Sequence, residues 1–315
     1  MLDLKEVNTK MPQSATFENL KNKLEPNKPL APFSTFKTGG PAQWFILADS
    51  VELLSDAIKM ARAEQLNYVV IGGGSNLLIS DDGFDGLVIK VALKGIQLID
   101  KTQIDCFAGE DLMALIRFAE ENGLTGLEFA SGIAGTVGGA IYGNAGAYGG
   151  EIKDVLTEVT LVDCEGNIKK VNPAYCKFRY RDSYLKKSKE IVARASFKLE
   201  KGNKESISKK IEEILTTRAG KHPVDGKTAG SFFKNIPDPK EPYGKLAAGK
   251  LLEEAGAKQL SVGDAAVYEK HANMIINRDN ATSKDIRELA DMMKKIVFEK
   301  FGIELEEEVI TIGKI

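Results

Sequence analysis

Cysteine, histidine and net charge are all scarce in this 315-residue sequence, and each shortage removes a class of function. The three cysteines, Cys106, Cys164 and Cys176, are odd in number, widely spaced and form no CxxC. They fit reduced, packed thiols rather than a disulfide framework. With only His222 and His271 available, zinc motifs of the HExxH type are absent, and no metal site is expected. No GxSxG elbow supports a serine hydrolase. The formal charge is −2 and the pI about 6.0, which argues against a basic nucleic-acid binder. No run approaches the roughly 20 apolar residues that span a bilayer. The first twenty residues, MLDLKEVNTKMPQSATFENL, lack the apolar centre of a secretory signal. A cytoplasmic globular protein is expected, with no nucleic acid, no membrane and no obligatory protein partner.

What is present is ordinary soluble composition, 43% apolar and 28% charged, with enough apolar surface to offset chain entropy. The length suggests about two domains. Residues 1–30, with Pro12, Pro26 and Pro29, read as an irregular lead-in. Residues 31–92 read as a first module: a strand Ala42–Ala48, a helix capped by Ser50, a buried strand Tyr68–Ile71, and another apolar run Gly86–Val91. The helix has Leu53, Leu54, Ala57, Ile58 and Ala61 on one face. Residues 93–202 form a second module: a hairpin or two strands over Ile96–Ala108, a helix Asp111–Asn122, and strands Glu158–Val162, Ile168–Val171 and Ile191–Leu199. Around residue 200 the texture becomes Lys- and Glu-rich. The last segment, 203–315, should hold helices at about Lys204–Arg218, Leu246–Ala255 and Ser283–Phe301, with strands Met274–Asn277 and Leu305–Ile312. Strands and helices mix without strict βα alternation, so the expected class is α+β.

Thirty glycines are the skewed number, and ten of them fall in residues 123–150. Gly72-Gly73-Gly74-Ser75-Asn76 closes a buried strand, where successive N–H groups can turn inward and form an anion nest. Alone it is equally a tight turn. It is not the GxGxxG fingerprint, because position 77 is Leu. The second stretch, 131–150, interleaves Ser131, Gly132, Thr136, Gly138, Gly139, Asn144 and Gly146 with the apolar Ile133, Val137, Ile141 and Tyr142, which suits no flexible linker. Two cradles suggest one dinucleotide spread across two modules. Gly226-Lys227-Thr228 only imitates a P-loop, since position 221 is Lys.

Seven segments, in chain order, carry a family resemblance. They are Thr35–Ala42 (TFKTGGPA), Ile71–Leu78, Gly132–Glu151, Tyr180–Ser183 (YRDS), Ala229–Asn235 (AGSFFKN), Glu269–Asn273 (EKHAN) and Glu308-Val309. Together the chain resembles the UDP-N-acetylenolpyruvoylglucosamine reductases over nearly its whole length after residue 30. The resemblance implies a two-module FAD-binding domain of the vanillyl-alcohol-oxidase (PCMH) type, followed by an α+β substrate domain. FAD would be held without a covalent link on Gly72–Asn76 and on Ser131, Gly132, Thr136, Gly138, Gly139, Asn144 and Gly146. NADPH would be co-substrate, and UDP-N-acetylglucosamine enolpyruvate the acceptor on the way to peptidoglycan.

That reaction leaves an enolate after hydride addition, and three groups are implied to meet it. Arg181 of YRDS would supply a permanent cation, Ser231 the proton, and Glu308 would act beside Arg181. Read without the family, Arg181 is better taken as a salt-bridge partner and Ser231 as a turn or helix-cap residue. The chain has Glu307-Glu308-Val309-Ile310 where the family commonly has Pro-Glu-Val-Arg, so Glu306 is the fallback acid. Alternation puts Glu306 and Glu308 on one face and Glu307 on the other. Lys221 and Asn235 resemble the residues that meet the substrate diphosphate, although Asn235-Ile236-Pro237 carries an isoleucine where the family usually joins Asn to Pro. No tyrosine-bearing insertion appears between about 185 and 200, so the chain resembles the shorter branch. Two other readings stay open: a different FAD oxidase of the same fold, and a non-catalytic nucleotide-binding protein.

Overall fold

Two sheets of opposite character precede the C-terminal segment. The computed structural model describes residues 15–223, 226–241 and 244–315. The first sheet runs in the order Glu25–Pro29, Pro41–Ala48, Phe84–Val91, Tyr68–Ile71, antiparallel at the first pair and parallel at the other two. Its crossover helix, Val51–Ala63, starts where the Ser50 hydroxyl accepts the Leu53 amide at 3.2 Å and buries the expected apolar face. Alternation sorts the central strand. Leu87, Ile89 and Val91 enter the first core, and Val88 points into a smaller one with Phe45 and Ile71.

The second sheet is antiparallel throughout, in the order Ile168–Val171, Leu156–Val162, Ile191–Lys198, Gln103–Phe107, Ile96–Leu98. Helix Leu112–Glu121 is capped by Asp111, whose carboxylate accepts the amides of Met113 and Ala114. A third, three-stranded antiparallel sheet, Ser261–Val262, Ala265–Tyr268 and His271–Asn277, packs with helices Ala248–Glu254 and Ser283–Phe301 around a separate core.

Several expectations need correction. Of the lead-in, residues 1–14 lie outside the described residues. The remainder is not irregular: helix Ala15–Leu20 is followed by strand Glu25–Pro29, which pairs with Pro41–Ala48. The strand lies at the sheet edge, where Pro26 and Pro29 need donate nothing. Helix Lys204–Ala219, expected to open the last segment, buries Ile207 and Ile211 in the first core. The next helix begins at Ala248, because Leu246 pairs with Ile236 in a two-strand hairpin. Only Ile310–Ile312 of the last expected strand is regular, and it pairs in parallel with Leu77–Ile79, a strand that directly follows the first glycine loop. The chain end is thereby carried back to the first module.

Candidate functional site

The two glycine loops meet. Ser75 donates its hydroxyl to the Ala134 carbonyl at 2.8 Å. A Cβ on Gly73 would come within 2.9 Å of the Gly135 Cα, and one on Gly72 within 2.6 Å of the Thr136 hydroxyl. Glycine is therefore what lets one loop lie on the other. Beside them opens a cavity of about 400 Å³ lined by Thr35, Gly73, Ser75, Lys90, Gly135 and Thr136, among others. The Ser131 hydroxyl is fully buried and, like those of Ser34 and Thr38, has no hydrogen-bond partner among the described residues. A cavity between two touching glycine loops, lined by Ser75, Thr136 and Lys90, fits a bound dinucleotide.

The expected cradle residues divide on inspection. Gly74 (φ +69°) is demanded by the protein itself, since a Cβ there would overlap the Phe33 carbonyl, and a Cβ on Gly138 would come within 2.8 Å of the Ala108 methyl. Gly132 (φ +74°) lies under Arg218, whose Nε donates to the Gly132 carbonyl at 3.1 Å. Gly139 is exposed and has room for a side chain. Asn144 does not face the cavity. It is fully buried at φ +46°, its amide donates to Glu151 and to the Arg179 carbonyl, and its oxygen accepts the Lys153 amide. Gly146 accepts from the Arg181 guanidinium at 2.6 Å. Gly146 thus holds the Arg181 guanidinium, while Asn144 pins the neighbouring Arg179 backbone.

Arg181 is held in the left-handed region (φ +52°), an uncommon place for a residue with a Cβ. Its Nε lies 3.1 Å from a Glu308 carboxylate oxygen. Its carbonyl accepts from the Lys186 ammonium at 2.7 Å. Glu308 is placed by backbone pairing on both sides. Its amide donates to Phe232 at 2.8 Å, and its carbonyl accepts the Asn76 side-chain amide at 2.9 Å. The first glycine loop and the acid are thus joined through one asparagine. Burial raises the Glu308 carboxyl above its ordinary range, although Arg181, Lys186 and Lys234 pull the other way.

Segment Ser231–Lys234 is the shared neighbour. Ser231 bridges Met274 on one side, the Phe232 amide donates to Asn273, and Phe233 bridges Glu307 on the other. Ser231 and Glu308 consequently sit on adjacent extended segments. The three acids separate cleanly. Glu306 is 74% exposed and pairs with Lys234, Glu307 turns to Arg287 and Lys294, and Glu308 turns to Arg181.

Lys221 is exposed just past the helix Lys204–Ala219. The His222 and His271 rings lie 5.5 Å apart. Burial, with Arg218, His271 and Lys221 nearby, pushes the His222 imidazole down to about 4. Asn235 uses its side-chain oxygen to accept the Ala248 amide at 3.1 Å, capping a helix that has no cap of its own, while the Tyr180 hydroxyl meets the Asn235 backbone. Sequence reasoning missed Lys90, Lys94, Lys186 and Lys245. Lys245 lies 3.5 Å over the Tyr180 ring. Only Lys90, a cation inside the apolar run Leu87–Val91, carried a signal. Among the described residues no cluster of His, Cys, Asp and Glu could hold a metal, and no helix is long and apolar enough to cross a membrane.

Comparison with known proteins bears on both halves. Residues 42–172 match a family model described as an FAD binding domain, and residues 222–312 match the C-terminal domain of UDP-N-acetylenolpyruvoylglucosamine reductase. The UDP-N-acetylenolpyruvoylglucosamine reductase of Caldanaerobacter subterraneus is 42% identical over 292 residues, 93% of this chain and 94% of that one. The protein of the same name from Caldicellulosiruptor bescii is 42% identical over 288 residues, covering 91% and 90%. The crystal structure of UDP-N-acetylenolpyruvylglucosamine reductase from Thermus caldophilus superposes with a TM-score of 0.76 at 34% identity, over 92% of this chain and 98% of that one.

Proposed function

Because the chain belongs to the UDP-N-acetylenolpyruvoylglucosamine reductase family, we propose that it reduces UDP-N-acetylglucosamine enolpyruvate to UDP-N-acetylmuramate with NADPH, in the cytoplasm, for peptidoglycan synthesis. Family membership makes it an FAD-dependent oxidoreductase with an α+β, two-module FAD-binding domain of the vanillyl-alcohol-oxidase type. Bound FAD supplies the two-electron carrier between NADPH and the enolpyruvyl C3.

The protein's own share is to stabilise and quench the enolate left on the substrate. Arg181 offers a permanently charged guanidinium, aimed by its bonds to Gly146 and Glu308. A preoriented cation stabilises developing negative charge without reorganising at the moment of reaction. Ser231 hands its hydroxyl proton to C2, a role open to a weak acid only because a carbanion is so strong a base. Glu308, whose carboxyl burial raises above its ordinary range, acts beside Arg181 at the same site. Lys221 and Asn235 meet the substrate diphosphate, and Gly72–Asn76 with the 131–139 loop hold the cofactor.

The observation that carries this reading is the Arg181–Glu308 pair at 3.1 Å, tied to the first glycine loop through Asn76. The test is anaerobic spectroscopy of the purified protein. Its yellow colour should bleach with NADPH and return on adding UDP-N-acetylglucosamine enolpyruvate, with UDP-N-acetylmuramate identified by mass spectrometry. A colourless protein, or reduced flavin indifferent to that substrate, would overturn it.

A further inference from the structure

One half-buried cation lining the cavity has no anionic partner among the described residues. Lys90 lies in the central strand Phe84–Val91, in register with Ile71, the residue before the first glycine loop. Alternation turns it to the face of Val88, away from Leu87, Ile89 and Val91. Its ammonium donates to the Gly72 carbonyl at 2.6 Å and to the Val91 carbonyl at 3.4 Å. An ammonium has three donors, so one is left over where Lys90 lines the cavity between the loops.

Neighbouring charges do not compensate it. Lys94, also lining the cavity, pairs with Glu110 at 3.2 Å, and the other Glu110 oxygen accepts the Gly95 amide. Asp111, the carboxylate among the lining residues, accepts the amides of Met113 and Ala114 as a helix cap. Among the described residues no carboxylate forms an ion pair with Lys90. Burial and the nearby Lys94 both push its ammonium down from its usual range. A half-buried, unpaired ammonium is costly, and a neutral side chain could support the Gly72 carbonyl as well. The arrangement makes sense once an anion enters the cavity.

We propose that Lys90 is a ligand of the cofactor diphosphate, reaching it from the sheet side while the glycine loops approach with backbone. The proposal rests on the flavoprotein reading and adds a cation without a carboxylate partner to the glycine-loop cradle. It also explains why a lysine interrupts an apolar strand: the same ammonium braces the first loop and neutralises the anion that the loop receives. Riboflavin, which lacks phosphate, shows whether the rest of the flavin site is intact, and Lys90→Gln, which can still donate to the Gly72 carbonyl but carries no charge, separates loop support from anion binding.

The experiment titrates the deflavinated full-length chain with FAD and with riboflavin, following flavin fluorescence. Lys90→Met should weaken FAD binding about 10- to 100-fold, the scale of a lost charge-assisted contact, and leave riboflavin binding unchanged. Lys90→Arg should recover most of the FAD affinity. Inorganic pyrophosphate should raise the melting temperature of the wild-type apoprotein and not that of Lys90→Met. Lys90→Gln should weaken FAD binding as Lys90→Met does, and it serves alone should the methionine variant fail to fold. Unchanged FAD affinity in Lys90→Met would overturn the assignment, and so would wild-type FAD affinity in Lys90→Gln, which would make Lys90 a loop brace. A wild-type chain that binds no FAD would overturn the flavoprotein reading and the proposal with it.

Discussion

Two glycines of the cradle should respond in opposite ways to the same methyl group. Gly139 lies in helix Val137–Tyr142, and a Cβ there would find the Thr136 hydroxyl at 3.5 Å as its nearest protein atom. That is ordinary contact, and the Thr136 cap on the Gly139 amide survives. Replacing a helical glycine by alanine gains about 0.5–1 kcal/mol, so the Gly139→Ala apoprotein should melt slightly higher. If the backbone at 139 approaches the cofactor, the same methyl overfills that contact. Overpacking costs about 1–3 kcal/mol, which corresponds to FAD binding weakened about 10- to 100-fold. Gly74→Ala reverses the pattern. Its φ of +69° costs a non-glycine residue about 1–2 kcal/mol, and its Cβ would overlap the Phe33 carbonyl besides. The apoprotein should melt several degrees lower before any flavin is added. The assay is differential scanning fluorimetry of both apoproteins, with FAD titrations alongside. Gly139→Ala with wild-type FAD affinity would refute the placement of the cofactor against the second loop, whatever its melting temperature.

The catalytic and cofactor assignments together make three further predictions. Ser231→Ala should leave NADPH bleaching of the flavin nearly untouched and slow its reoxidation by the enolpyruvyl substrate by about 10²–10⁴-fold; stopped-flow absorbance that showed both steps slowed alike would assign the serine a structural role. Glu308 has a raised carboxyl pKa when folded, so the native state binds more protons than the unfolded chain, and the stability lent by the neutral acid is full below its unfolded value and declines as pH rises through the folded one. Glu308→Gln, a mimic of the neutral acid, should therefore melt higher than wild type at pH 8 while matching it near pH 4; equal melting temperatures at pH 8 would show that the site does not disfavour the carboxylate. Acid precipitation should release yellow flavin into the supernatant, because neither glycine loop offers a His or Cys for covalent attachment, and colour kept in the pellet would contradict this.

How far the sequence could be read depended on the range of the interactions involved. Helix Ser283–Phe301 was legible to the residue because its ends are local: Thr282 and Asp285 form a reciprocal cap, and Gly302 closes it at φ +68°. Strand Leu77–Ile79 was not. Three residues carry no period, and what makes them a strand is the chain end, Ile310–Ile312, lying alongside from more than two hundred residues away. The lead-in failed for the opposite reason, since Pro26 and Pro29 are breakers everywhere except at a sheet edge. Site residues follow the same division. Motif spacing could name Arg181 and Ser231, but the choice among Glu306, Glu307 and Glu308 is made by their partners Lys234, Arg287 and Arg181, each on a different element. Asn144 shows the limit of reading a polar residue in a glycine loop as a ligand contact. Its side chain bonds Glu151, the Arg179 carbonyl and the Lys153 amide, all of them the protein's own groups. A glycine-rich loop therefore contains two kinds of residue, those that leave space for a ligand and those that let the loop fold onto its own supports. Only the three-dimensional neighbours of a Cβ that is not there tell them apart.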